Sequence, residues 1–224
     1  MNDDELTGRA STHISSVASL ECLLHAQAIT PFLNLRRAAA ADGMDLQPLS
    51  GFRDFERQLG IWNGKFSGER TLLDAAGIPM DAAPLNPAER VDAILLWSAL
   101  PGASRHHWGT DLDVADRNAV PRQYQIKLTR EEFASGGPFA PLDRWLEIHA
   151  PRFGFFRPFR GERSGVQPEP WHVSFAPIAE KARRLLSPGV LRAAIEGAPL
   201  QGKEAVLVRL EELHARYVAR IDLP

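Results

Sequence analysis

The sequence predicts an α+β fold: a small central antiparallel sheet flanked by helices. Three observations carry that expectation. Segments with helical spacing are separated by apolar runs only a few residues long. The two kinds follow in irregular order, without the strand–helix alternation of a parallel sheet. At 224 residues the chain can bury a core without disulfide or metal staples. Length favours one domain. Within it we expect an N-terminal helical part over about 1–44, a catalytic core over about 45–178 and a C-terminal helical extension over about 179–224.

Taken in order, residues 17–41 are rich in Ala and Leu and read as helix, kinked or split at Pro31. Leu46 to Ser50 reads as a short strand. A helix follows from Arg53 to Lys65, opened by a turn at Gly51. Residues 66–88 carry Gly68, Gly77, Pro79, Pro84 and Pro87 and read as a long irregular insertion. Glu89 to Leu100 reads as helix. Leu112–Ala115 and Ile126–Leu128 read as strands, Leu142–Ala150 as helix, and Phe153–Phe156 and Trp171–Phe175 as strands. Residues 177–186 and 203–220 read as helix, separated by Pro188, Gly197 and Pro199. The last carries an apolar stripe, Val206, Leu210, Leu213 and Tyr217, of the kind that packs on its own core.

Composition excludes some classes of function. A formal charge of −2 is wrong for a broadly basic nucleic-acid binder. Cys22 is the single cysteine, so there is no intrachain disulfide and no cysteine-rich zinc site. In its apolar surroundings it reads as a small buried hydrophobe. No apolar run approaches the roughly 20 residues of a membrane span. The N-terminus is acidic and polar, unlike a secretory leader. As written, the chain reads as cytoplasmic; with a leader removed it would belong to the cell envelope.

Chemistry concentrates in two segments. Residues 104–113 read Ser-Arg-His-His-Trp-Gly-Thr-Asp-Leu-Asp, and residues 169–172 read Glu-Pro-Trp-His. Together they hold the inventory of a mononuclear zinc hydrolase: three protein ligands, an open position for water and a Glu to take its proton. His106 and Asp113 are seven residues apart with Gly109 between them. A turn at Gly109 followed by a strand would bring both to one ion. His172 lies at the start of an apolar strand that makes a rigid platform. Glu169 stands between Pro168 and Pro170 and cannot be helical. In an ideal strand it would face away from His172, so the site needs Glu169 in the preceding loop, curled back over the metal. Zinc with two neutral imidazoles and one carboxylate keeps positive charge and lowers a water's pKa to about 7. Glu169 then accepts that proton and passes it to the leaving amine. The tetrahedral intermediate calls for a further cation or donor.

Other residues near the motifs read more plainly. His107 neighbours the proposed ligand but is one residue off the better spacing. His13, His25, His149 and His214 read as structural. Asp111 shares a strand face with Asp113; it is a support for a ligand, a rim charge or the ligand itself. Trp108 and Trp171 read as packing.

The two segments resemble the signature of zinc D-Ala-D-Ala carboxypeptidases and dipeptidases of the vancomycin-resistance type. These fall in the wider group shared with lysostaphin and the hedgehog signalling domain. Ser104, His106, Gly109 and Asp113 match the first motif, and Glu169, Trp171 and His172 the second. Ser50-Gly51-Phe52-Arg53 with Gln58 resembles the family's Ser-Gly-Tyr-Arg segment at a helix start, and Trp145 to Pro158 its helix-then-strand segment. The resemblance implies a hedgehog-like peptidase fold and one Zn²⁺ held by His106, Asp113 and His172. It implies Glu169 as catalytic base and Arg53 as the cation that polarises the scissile carbonyl or holds a substrate carboxylate. Ser104 and Gln58 become substrate hydrogen-bonders. The partner implied is a peptide with a D-amino acid terminus, cut at its C-terminal bond as in peptidoglycan. An L,D-carboxypeptidase, a D,D-dipeptidase, a peptidoglycan endopeptidase and a non-catalytic zinc- or peptidoglycan-binding module are the alternatives. Asp111 departs from the family, which has a small residue there.

Overall fold

The computed structural model describes residues 1–17, 20–161, 163 and 165–224. The chain opens with a short helix α1 (Asp3–Leu6), closed by an Asn2–Glu5 capping box. A two-stranded ribbon follows, β1 (Ile14–Ser15) paired with β2 (Leu24–His25). Helix α2 (Ala26–Ala41) comes next. The sequence placed its start near residue 17, but Leu24 and His25 are strand, and Ala18 and Ser19 lie outside the described residues. The cause is tertiary: His25 N–H donates to the Gly109 carbonyl and Ala26 N–H to that of His13. The His25 ring then caps the helix by accepting from Gln27 N–H at 3.1 Å. Pro31 sits inside α2 without splitting it; near the N-terminus it removes a single i→i−4 bond.

Strand β3 (Leu46–Ser50) and helix α3 (Phe55–Phe66) follow expectation, with Asp54 rather than Gly51 capping α3. The 66–88 insertion holds a small hairpin, β4 (Leu72–Leu73) against β5 (Pro79–Met80). Helix α4 runs Pro87–Leu95, shorter at its C-terminal end than the sequence suggests. Asn86 accepts from Ala88 and Glu89 and places Pro87 in the first turn, where a missing N–H costs nothing. Strand β6 (Asp111–Asp116) is buried along its whole length.

The strand expected at 126–128 does not form. Leu128 has φ +55°, a left-handed conformation that no strand accepts. The Glu132 carboxylate takes the N–H groups of Lys127 and Thr129 that a neighbouring strand would have taken. Helices α5 (Arg130–Phe133) and α6 (Ala140–His149) lead to strands β7 (Phe155–Phe156) and β8 (His172–Phe175). The C-terminal part is α7 (Ala176–Leu185), α8 (Pro188–Glu196), α9 (Lys203–Leu207) and α10 (Leu210–Leu213), ending in a π-turn over His214–Ala219. Helix α8 was not expected. Pro188 begins it rather than breaking the chain, with Ser187 Oγ accepting from Val190 N–H.

The central sheet has the order β3-β6-β8-β7, and every pairing in it is antiparallel. Its two faces differ, because side chains alternate along a strand. Leu112, Val114 and Val173 join Phe32, Leu35 and Leu146 of α2 and α6 in one apolar cluster. Asp111 and Asp113 of β6 and His172 and Ser174 of β8 lie on the other face, register-paired as Asp113 with His172 and Asp111 with Ser174. A second apolar cluster, including Phe55, Trp62, Ile94, Trp108 and Leu191, joins α3, α4, the 105–108 turn and α8. Among the described residues no helix is long and apolar enough to cross a membrane.

Candidate metal centre

His106 stands on a 3-10 turn, Arg105–Trp108, that ends at Gly109 with φ +64°. A Cβ at Gly109 would come within 2.4 Å of Ile14 Cδ1 and 2.6 Å of His25 N. Left-handed backbone and close approach thus demand glycine here. Gly109→Ala is expected to destabilise the fold by about 1–2 kcal/mol from the backbone alone, more with the clash, read as a lower thermal unfolding midpoint.

Three segments meet at His106. Its Nδ1–H donates to the Gly51 carbonyl at 2.9 Å. Arg53 N–H donates to the His106 carbonyl at 3.1 Å. His107 Nδ1–H donates to the Arg53 carbonyl at 2.6 Å. Gly51 permits this: a Cβ there would stand 2.6 Å from the Leu23 carbonyl oxygen. With Nδ1 engaged, His106 turns Nε2 to the Asp113 carboxylate at 3.5 Å.

His172 presents the opposite nitrogen. Its Nε2 is 2.9 Å from Asp111 Oδ1, while Nδ1 lies 3.4 Å from Asp113 Oδ1 and 3.1 Å from Glu169 Oε2. One ligand atom from each of His106, Asp113 and His172 falls within 4.8 Å of the others. Glu169 reaches the site as the sequence required. The His172 N–H donates to the Glu169 carbonyl at 3.1 Å, closing a turn with Pro170 in its second position.

These residues fit a divalent ion. His172 Nδ1 is buried without a hydrogen-bond partner. Each imidazole is oriented through its other nitrogen, as metal-bound histidines are. Asp111, Asp113 and Glu169 converge on His172 and want a positive charge. Burial opposes protonating that ring, yet the neighbouring carboxylates of Asp111, Asp113 and Glu169 outweigh it and raise its pKa well above normal. Burial holds His106 neutral, down to about 4. Burial also pushes Glu169 up, only partly offset by His172. The Glu169 side chain is 13 % exposed, so water reaches it.

Arg53 lines the cleft above the site. Its Nη1 donates to Gln58 Oε1 at 2.8 Å and its Nη2 to Ser50 Oγ at 3.3 Å. Its Nε is buried and, among the described residues, unbonded. Gln58 is placed behind Arg53 rather than on the cleft wall: its amide donates to the Ala99 carbonyl at 2.7 Å and accepts from Arg53. It braces the guanidinium from behind and is almost fully buried. Ser104 lines the cleft, and its hydroxyl does not cap the turn that follows.

His107 is no ligand. Its Nε2 accepts from Gly102 N–H at 3.1 Å while Nδ1–H is held by Arg53, so both nitrogens are spent. Burial holds it neutral, with a pKa of about 3. An unfolded His titrates near 6.5, so acid protonates the unfolded chain first. Its contribution to stability is complete above about pH 6.5 and falls through the window below, by up to about 1.4 kcal/mol per pH unit. With metal stripped, His107→Gln should be less stable throughout but lose less between about pH 7 and 5, as urea unfolding would show. The other histidines have structural partners: His13 on the His107 carbonyl, His25 capping α2, His214 on the Leu186 carbonyl and His149 stacked on Trp145. Trp108 is fully buried, its indole N–H on the Leu6 carbonyl. Cys22 is partly exposed, and burial of its thiol pushes the pKa up to about 11.

The cleft has a volume of about 460 Å³. Its walls include residues the motifs did not indicate. Leu73 and Gly77 of the insertion contribute, held by Trp97 Nε1–H on the Asp74 carbonyl at 2.9 Å and Arg130 Nη2 on that of Ala75 at 3.3 Å. Leu128, with its left-handed backbone, lines the same side. Leu213, His214 and Tyr217 bring the C-terminal extension to the cleft, beyond the core packing that its stripe implied. Lys65, two turns along α3 from Gln58, donates to Ser98 Oγ at 2.7 Å, and burial lowers its pKa to about 8.

Comparison with known proteins agrees with this geometry. The family profile described as VanY, D-alanyl-D-alanine carboxypeptidase, matches residues 21–178. An uncharacterized protein of Haemophilus influenzae is 36% identical over 121 residues, 53% of this chain and 92% of its own. A D-alanyl-D-alanine carboxypeptidase of Enterococcus faecalis is 30% identical over 166 residues, 72% of this chain; the match spans 52% of that relative. Two solved structures share the fold at 22% identity. VanYB in complex with D-Alanine-D-Alanine has a TM-score of 0.53, covering 85% of this chain and 91% of that one. A point mutant of the vancomycin resistance D,D-pentapeptidase VanY, in complex with Zn(II), has a TM-score of 0.52, covering 88% and 92%. A profile match over most of the chain, with its sheet and its motif residues gathered at one cleft, places this protein in the VanY D-alanyl-D-alanine carboxypeptidase family.

Proposed function

We propose that this protein is a zinc-dependent carboxypeptidase that removes the terminal residue of a D-Ala-ending cell-wall peptide. One observation carries the proposal: His106 Nε2, the Asp113 carboxylate and His172 Nδ1 converge, with Glu169 3.1 Å from His172 and the Arg53 guanidinium, without a salt bridge among the described residues, lining the same cleft. Two relatives support the assignment. One fold neighbour is complexed with D-Ala-D-Ala and another with Zn(II).

His106, Asp113 and His172 would hold the ion. When bound, zinc supplies Lewis acidity, lowering the pKa of water and polarising a carbonyl. Glu169, desolvated and with its pKa raised, takes the proton of the attacking water. It returns that proton to the nitrogen of the leaving D-amino acid. Arg53 keeps its charge despite burial and brings its guanidinium to bear on the oxygen on which negative charge develops. Ser104 is placed to hold the peptide by hydrogen bonding. Glu169 and Arg53 argue against a binding module that has lost its chemistry.

The test is D-Ala release from a pentapeptide stem, run beside elemental analysis of the same protein. About one zinc per chain with D-Ala released is the expected result. Zinc without release from any D-Ala-ending peptide would overturn the assigned reaction. Free D-Ala-D-Ala, a tetrapeptide stem and intact peptidoglycan as parallel substrates distinguish the dipeptidase, L,D-carboxypeptidase and endopeptidase specificities.

A further inference from the structure

Behind His172 lies a second, fully buried polar cluster. Asp111 is 0% exposed and Arg105 6%. Asp111 Oδ1 accepts from His172 Nε2 at 2.9 Å and from Arg105 Nε at 2.7 Å. Its Oδ2 accepts from Thr110 Oγ at 2.6 Å and from Ser174 Oγ at 3.0 Å. Arg105 Nη2 donates to Ser174 Oγ at 2.6 Å, closing the ring. The guanidinium rests 4.8 Å above the Trp108 ring centroid. Every element comes from the turn and the two strands that carry the proposed ligands.

Burying this pair for stability alone is a poor bargain. Ion pairs in low dielectric are often no better than apolar residues of the same volume. What the pair supplies is direction. A carboxylate accepts and cannot donate, so His172 must carry a proton on Nε2, and Nδ1 is the nitrogen left for a metal in the cleft. Negative charge behind the ring also strengthens that nitrogen as a ligand. Arg105, Thr110 and Ser174 fix the plane of the carboxylate.

We propose that Asp111, held by Arg105, Thr110 and Ser174, is a positioning residue that fixes the tautomer of His172 and raises the affinity of this site for a divalent metal. The proposal rests on His172 being a metal ligand. It resolves the three readings of Asp111 in favour of a support: with both oxygens already hydrogen-bonded and turned away from the cleft, it is neither a rim charge nor the ligand.

Zinc affinity of the purified full chain, measured by competition with a chromophoric chelator, tests this. Asp111→Asn should weaken zinc binding about 10–100-fold while the protein still unfolds cooperatively. The double variant Asp111→Ala/Arg105→Met removes both charges together, avoids an unpaired buried Arg and should show the same loss. Wild-type affinity in both variants overturns the proposal. His106→Ala is the control for the underlying reading: if it loses zinc while the Asp111 variants do not, the metal site stands and the inference alone fails. Should neither variant fold, the ¹⁵N–¹H spectrum of the His172 ring in the zinc-loaded wild type decides. A proton on Nε2 supports the proposal, and one on Nδ1 overturns it.

Discussion

Glu169→Gln is expected to lower kcat by a factor of about 10²–10⁴ while zinc content stays at the wild-type level. The amide keeps the shape of the carboxylate and the turn through Pro170, but it cannot take a proton. In barrier terms the loss is about 3–5 kcal/mol. Zinc should stay because Glu169 is not needed as a ligand: His106, Asp113 and His172 form the set whose atoms fall within 4.8 Å. Removing a buried carboxylate also relieves its repulsion with Asp113, one of the influences that raise the Glu169 pKa. Thermal stability of the variant should therefore equal or exceed that of the wild type. Retained turnover would sink the assigned role. Parallel loss of zinc would mean that Glu169 is itself a ligand.

His106→Ala and His172→Ala should each lose zinc and, with it, activity, but they should differ in stability. His106 hydrogen-bonds one carbonyl and stands in the cleft neutral. Its removal mainly costs the metal and the stabilisation that binding confers. His172 touches all three carboxylates, Asp111, Asp113 and Glu169. Without it, Asp113 and Glu169 lose the ring that stands 3.4 and 3.1 Å from them. Breaking a buried charged set in this way costs about 3–5 kcal/mol. The metal-free His172→Ala protein should therefore melt well below metal-free His106→Ala, although both are zinc-deficient by elemental analysis. Equal melting temperatures would show that the carboxylate cluster carries little strain.

The site was legible where its chemistry is local. The spacing of His106, Gly109 and Asp113 implies a turn feeding a strand, and a glycine at φ +64° followed by β6 is what forms. The odd separation of Glu169 and His172 demanded a loop that folds back, and the bond from His172 N–H to the Glu169 carbonyl provides it. Legibility fails where side-chain partners, near or far in the sequence, decide the geometry. Asp111 faces Arg105 and Ser174, and nothing in its neighbours identifies which charge it meets. Gln58 is implied as a substrate contact by the resemblance of the Ser50–Arg53 segment; its amide bonds inward to the Ala99 carbonyl. The apolar residues at 126–128 look like a strand until the Glu132 carboxylate takes the N–H groups of Lys127 and Thr129. The contribution of Tyr217 to the cleft depends on the path of the C-terminal extension, which no local pattern records.

The joint between Gly51–Arg53 and the 106–107 turn has a kinetic meaning. Three hydrogen bonds in alternating directions lace these segments, which lie more than fifty residues apart in sequence. His106, the proposed metal ligand, and the cleft's Arg53 are thereby mounted on a single stiff piece. Thermal fluctuation moves them as a body and barely changes the gap between them. A substrate bridging the two meets a spacing already set, so little reorganisation remains at the moment charge shifts. The recognition element and the metal cradle then wear out together: a lesion at Gly51 loosens both at once.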